Sequence, residues 1–173
     1  NIENVHPPDG GHGTIGVIFD GSDETDNLGR MVSSAGDLNA DGIDDFAMAA
    51  PRADDNDGET YVIFGRTTPY PGRFFLADLF PDGGGDASQG FVLDNAEGHL
   101  SGDGIGDVAD VNGDGISDLL ITGGPPGGQP PTPASFAYVV FGTAAGFPPV
   151  FDLVELLPNN GGVGSAGFAL VGN

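Results

Sequence analysis

Lysine is absent from this 173-residue chain, and arginine occurs only four times (Arg30, Arg52, Arg66 and Arg73) against 26 acidic residues. A formal charge of −22 excludes nucleic acid and anionic membrane surfaces as partners, because like charge repels well before contact. Cysteine is also absent, which excludes a disulfide framework and thiol chemistry. No membrane-spanning run and no signal peptide is visible, and Asn1 fits the first residue of a processed chain. Histidine is scarce. His6, His12 and His99 stand in Gly/Pro-rich or acidic stretches, without the intervals of a zinc site or a nucleophile partner. Acids are so abundant that no pair singles itself out as a glycosidase couple. The expectation is that the chain is not an enzyme and has no catalytic residues.

What the chain has in quantity is acid, glycine (32) and proline (14). The charge favours divalent cations; two bound calcium ions would still leave about −18. Asp54, Asp55 and Asp57 are then either further metal donors or a solvated loop, with the solvated loop favoured. Short β-rich runs between Gly and Pro indicate turn-rich β structure.

Two stretches are nearly the same: Asp37-Leu38-Asn39-Ala40-Asp41-Gly42-Ile43-Asp44-Asp45 and Asp110-Val111-Asn112-Gly113-Asp114-Gly115-Ile116-Ser117-Asp118. Each runs into an apolar segment, Phe46–Ala50 or Leu119–Thr122. Hard oxygen donors at alternate positions, with glycine at a sharp turn, suit a loop that wraps calcium. Loops with so few carboxylates need calcium near extracellular levels, roughly 10⁻⁴–10⁻³ M, so a secreted or cell-surface location is expected. An EF-hand or dockerin loop starts the same way but needs an acidic twelfth position and a following helix. The twelfth positions here are Met48 and Ile121, inside β-rich runs.

The repeat extends beyond the loops. Tyr61-Val62-Ile63-Phe64-Gly65 recurs 77 positions later as Tyr138-Val139-Val140-Phe141-Gly142, and Gly90-Phe91-Val92-Leu93 as Gly167-Phe168-Ala169-Leu170. Phe74–Pro81 recurs likewise as Phe151–Pro158. Each unit yields four predicted strands: Arg30–Ala35, Asp45–Ala50, Thr60–Phe64 and Phe91–Asp94, then Ile105–Ala109, Asp118–Thr122, Ala137–Phe141 and Phe168–Val171. Leu76–Leu79 and Leu153–Leu156 are short strands or single helical turns, and nothing else reads as a helix. The Pro-rich stretch Gly124–Pro133 reads as an exposed loop. Thr132 and Ser135 in and beside it are positions where a sugar would be accessible.

With Leu28–Gly36, the first acidic loop, Asp45–Pro51 and Tyr61–Gly65 taken together, the chain resembles an FG-GAP repeat, the blade unit of the integrin α-subunit propeller and of many bacterial surface proteins. The second unit is a looser match, with Thr122-Gly123-Gly124-Pro125 standing where Gly-Ala-Pro is usual. The resemblance implies an all-β fold of two four-stranded β-propeller-type blades with calcium in the loop between the first two strands of each. The ligands it implies are Asp37, Asn39, Asp41, the Ile43 carbonyl and Asp45, then Asp110, Asn112, Asp114, the Ile116 carbonyl and Asp118. Ser117 and Asp44 are expected to face solvent.

The resulting organisation is an N-terminal extra strand segment (1–21), a first blade (22–95) and a second blade (96–173). Propellers usually hold 4–8 blades, and two alone expose apolar faces without polar caps. Val17–Phe19 duplicates the outer-strand segment Phe168–Val171, so one copy is surplus within a monomer. Two expectations follow. In one, the chain is a structural protein that assembles with itself head to tail by strand addition, into a ring or filament. In the other, it is part of a larger integrin-like propeller adhesin that binds a protein or glycan, with Asp54–Glu59 and Gly123–Pro133 as contact loops.

Overall fold

The computed structural model of the chain describes residues 16–94, 100–124, 136–157, 162 and 164–172. Its strands are β1 (Ile18–Asp20), β2 (Val32–Gly36), β3 (Asp45–Ala50), β4 (Glu59–Ile63), β5 (Arg73–Phe75), β6 (Gly90–Asp94), β7 (Leu100–Val108), β8 (Asp118–Gly124), β9 (Phe136–Val140), β10 (Val150–Asp152) and β11 (Gly167–Val171). They form three sheets: a first of order β10-β6-β4-β3-β2, a second of order β11-β9-β8-β7, and a two-stranded pair β1-β5. The described chain is thus all-β, with little helix.

In the two large sheets, consecutive strands of each repeat pair antiparallel. β6 bonds to β4, and β11 bonds to β9. The last strand of each unit therefore belongs to its own sheet. Between the third and fourth strands of the second unit, β10 reaches back and pairs parallel with β6. The same exchange recurs one unit earlier, where β5 pairs parallel with β1. Ile18, Phe19 and Asp20 face Arg73, Phe74 and Phe75, as Val92, Leu93 and Asp94 face Val150, Phe151 and Asp152. By register β1 stands to β5 as β6 stands to β10.

Several elements depart from the sequence expectation. β7 starts at Leu100 rather than Ile105, because Gly102, Gly104 and Gly106 break the apolar alternation, and the ladder shifts register between Ser101 and Gly104. A one-turn helix, α1 (Ala53–Asn56), occupies a stretch read as helix-free. The Gly58 amide closes it on the Ala53 carbonyl, with Gly58 at φ 83°, and four residues are too few to show a helical period. Asp54 and Asp57 therefore build this turn. Glu59, read as part of a contact loop, is the first residue of β4, and Gly123 and Gly124 end β8; most of the Pro-rich loop, Thr132 and Ser135 lie outside the described residues. Leu76–Leu79 and Leu153–Leu156 are 3-10 turns, each burying two leucines against a sheet.

Alternation gives each sheet two faces. One face of the first sheet carries Ala47, Ala49, Val62, Phe64, Phe91 and Leu93, and it packs on Ile105, Leu119, Ile121, Tyr138 and Val140 of the second. Phe151, Leu153 and Leu156 complete this joint, and the Phe91 and Phe147 rings stack at 4.1 Å. The other face of the first sheet, with Met48, Tyr61, Ile63 and Val92, is covered by Phe74, Leu76 and Leu79. There β1 contributes Phe19, which meets Phe46 edge-on at 5.4 Å. Both acidic loops emerge at sheet ends, between β2 and β3 and between β7 and β8.

Candidate metal-binding loops

Asp37, Asn39 and Asp41 fall in the turn that joins β2 to β3, Ile43 follows them, and Asp45 opens β3. Their side chains organise the turn themselves. The Asp37 carboxylate accepts the amides of Asp41 and Gly42, both at 2.9 Å. The Asn39 side-chain oxygen accepts the Asp41 amide at 3.0 Å, and Asp41 accepts the Ile43 amide at 2.9 Å. Gly42 sits at φ 88°, in the region a side chain disfavours. Ala40 adopts φ 60° without that excuse.

The second loop repeats the bonds of the first and adds one, from the Gly113 amide to Asp110. Asp110 accepts Gly113, Asp114 and Gly115 amides, Asn112 accepts the Asp114 amide, and Asp114 accepts the Ile116 amide. In both loops the Asn side-chain amide donates to the second Asp of the loop. Where the first loop strains Ala40, the second has Gly113 at φ 82°.

Asp45 and Asp118 differ from the rest of the set, since both are buried. Asp45 accepts the Leu38 amide at 2.9 Å and the Gly65 amide at 2.8 Å. Asp118 does the same with Val111 at 2.7 Å and Gly142 at 3.0 Å. Each thereby ties the loop to the end of the third strand. Burial pushes the Asp45 carboxyl up to about 6, with Asp41 and Asp37 adding repulsion and the two amides opposing it. Exposed Asp110 goes the other way: the Gly115, Gly113 and Asp114 amides hold it below the usual carboxylate range.

The sequence did not point to Gly65 and Gly142 as partners of the site. A β-carbon on Gly65 would stand 2.4 Å from the Asp44 carbonyl, and one on Gly142 would stand 2.2 Å from the Ser117 carbonyl. The signal was present in the Phe-Gly ending that both units share. The structure also gives the first loop a neighbour. The Asp37 carbonyl accepts the Ser117 amide at 3.4 Å, and the Leu38 carbonyl accepts the Thr143 amide at 2.9 Å. The first loop is therefore wedged into the joint between sheets, with Leu38 fully buried. Asp44 faces solvent as expected, whereas Ser117 is half-buried by this contact.

Among the described residues, no three Asp, Glu or His side chains converge as a ready-made metal cage. The donor set nevertheless suits a hard cation. A carboxylate offers about four lone-pair directions, and the two amide bonds on Asp37 or Asp45 leave others over. Each loop combines three carboxylates, one side-chain amide oxygen and one backbone carbonyl, all oxygen donors of the kind calcium takes. His6, His12 and His99 lie outside the described residues.

Beside the first loop lies an open groove of about 410 Å³, lined by Asp41, Ile43, Gly65, Arg66, Thr67 and Gln89 among others. Arg66 donates to the Gln89 side chain at 3.0 Å, and its guanidinium lies 4.4 Å over the Tyr70 ring. Among the described residues no carboxylate comes within ion-pair distance of it; the ion pair there joins Arg73 to Asp20.

The FG-GAP repeat family profile matches residues 31–63, a span that takes in β2, the first acidic loop, β3 and β4. An FG-GAP repeat is thus present in the chain. Such repeats suggest an integrin-like β-propeller module, and the β-rich sheets are compatible with its blades. Among the described residues, no helix is long and apolar enough to cross a membrane.

Proposed function

We propose that the chain is an extracellular calcium-binding FG-GAP repeat protein with a structural and non-catalytic role, whose blades join head to tail into a filament or ring. Calcium would be held by Asp37, Asn39, Asp41, the Ile43 carbonyl and Asp45, and by Asp110, Asn112, Asp114, the Ile116 carbonyl and Asp118. Bound there, it would neutralise clustered carboxylates and stiffen the turns that set the sheet ends.

One observation carries the assembly reading: the exposed apolar residues at the two ends are the repeat counterparts of residues buried at the joint between sheets. Val111 in the second acidic loop and Phe168 and Leu170 on β11 are exposed, while their counterparts Leu38, Phe91 and Leu93 are fully buried. At the opposite end Val32 is 59% exposed, and its counterpart Ile105 is 8% exposed. Covering one such side chain is worth about 1.5–3 kcal/mol. The two ends are unlike and complementary, so the contact is heterologous and closes into a ring or runs on as a filament. The outer-strand slot at that contact is single: β1 and a neighbour's β11 both fit it, and one gives way by strand exchange.

Sedimentation and electron microscopy with millimolar calcium, then with a chelator, test the reading. Calcium-dependent rings or filaments are expected, and a monodisperse monomer in both conditions overturns it.

A second reading places these sheets within a larger integrin-like propeller that binds a protein or glycan. The FG-GAP match and the pairing of β1 with β5, which copies that of β6 with β10, favour it. The intact mass of the native protein separates the two, since a polypeptide well beyond 173 residues supports the second.

A further inference from the structure

We infer that the second acidic loop of one copy seats on the Gly65–Arg66 corner of the next copy, with Arg66 facing the incoming carboxylates. The inference rests on the head-to-tail reading and specifies its contact. Its template is the joint inside the chain. There Asp37 and Leu38 of the first loop present carbonyls to the Ser117 and Thr143 amides. A β-carbon on Gly142 would come within 2.9 Å of the Leu38 carbonyl, so glycine is what lets the loop approach.

Moving this contact along by one unit replaces each residue by its repeat counterpart. The accepting carbonyls become those of Asp110 and Val111, and the docking corner becomes Asp44, Gly65 and Arg66. Each counterpart is ready for the role. Val111 is 50% exposed where Leu38 is buried. Gly65 keeps the glycine that close approach demands. Among the described residues neither the Asp44 nor the Arg66 amide has a backbone acceptor.

Charge distinguishes this contact from the internal one. Thr143 occupies the corner inside the chain, whereas the free corner carries Arg66. In a chain of net charge −22, two acidic loops brought together repel, and a guanidinium between them offsets that repulsion. Gln89 and Tyr70 hold Arg66 in place, and the open groove around it leaves room for the arriving loop. A second copy fits this corner better than an unrelated acidic partner, because the backbone donors and the apolar ends match at the same time.

The native chain has no cysteine, so an engineered pair reports cleanly. Val111→Cys and Arg66→Cys are introduced in separate preparations, mixed in millimolar calcium and mildly oxidised. The expected product is a disulfide between the two variants, at least fivefold over either variant linked to itself. In a companion experiment, Arg66→Glu is expected to weaken wild-type self-association at least tenfold, and Arg66→Lys to change it less than threefold, with unfolding midpoints unaltered. Assembly that proceeds without the mixed disulfide, or that ignores Arg66→Glu, overturns this contact and leaves head-to-tail assembly standing. Absence of any assembly of the wild-type chain in calcium overturns both.

Discussion

The Asp45 carboxylate accepts the Gly65 amide across 20 residues of chain, closing the first acidic loop onto the end of β4. With its second oxygen on the Leu38 amide, Asp45 holds the loop to the sheet whether or not a cation is bound. Asp45→Ala leaves the buried Leu38 amide and the part-buried Gly65 amide unmatched, at about 1–3 kcal/mol each when unsatisfied. Urea unfolding of this variant should show a loss of about 3 kcal/mol, and an unchanged midpoint would refute the role given to Asp45.

The pH dependence without calcium follows from the same group. Its carboxyl titrates near 6 in the folded protein, above its ordinary 3.8, so protons bind the folded state more tightly. The stability it contributes is full below about pH 4 and is lost as pH rises through 6, by up to about 3 kcal/mol. Calcium-free protein should therefore unfold at lower denaturant concentration at pH 7 than at pH 4.5. Millimolar calcium is expected to remove or reverse that difference.

Calcium itself should register as stability. A site held at one hundred times its dissociation constant adds about 2.7 kcal/mol. Thermal unfolding with and without calcium, compared between wild type and Asp114→Ala, is expected to show a smaller calcium-dependent shift in the variant. Equal shifts would remove the second loop from the account.

Ala40 supplies a prediction of opposite sign. It holds φ 60° where the second loop has Gly113 at φ 82°, and a β-carbon in that region costs about 1 kcal/mol. Ala40→Gly should raise stability by up to about that amount, and Gly113→Ala should lower it. Denaturant midpoints of the two variants decide this directly.

Gly142→Ala should damage the joint. Its new methyl would meet the Ser117 carbonyl at 2.2 Å and the Leu38 carbonyl at 2.9 Å, contacts that only backbone movement relieves. A loss of about 2 kcal/mol is expected. Amide exchange should also quicken at Thr143, whose bond to Leu38 spans the sheets.

Much of the local structure was legible because its causes are local. Asp45–Ala50 was placed to the residue, since a run of small and apolar side chains after an Asp/Gly turn has few other solutions. Gly42 and Gly115 were read as sharp turns, and both adopt positive φ. The start of β7 was missed because its glycines carry no pattern. Helix α1 was missed because one turn has no period. Leu76–Leu79 stayed ambiguous until burial of two leucines selected the 3-10 form.

The residues themselves settled the repeat, its two acidic turns and the strands flanking them, because alternation, turn chemistry and donor spacing act over a few positions. Folding in three dimensions decided the rest. It paired β1 with β5 and β10 with β6, buried Leu38 while leaving Val111 exposed, and set Arg66 beside a groove with no carboxylate ion-pair partner among the described residues. Those outcomes depend on which face finds a neighbour, and identical motifs differ in that respect only once the chain has stacked one sheet on another.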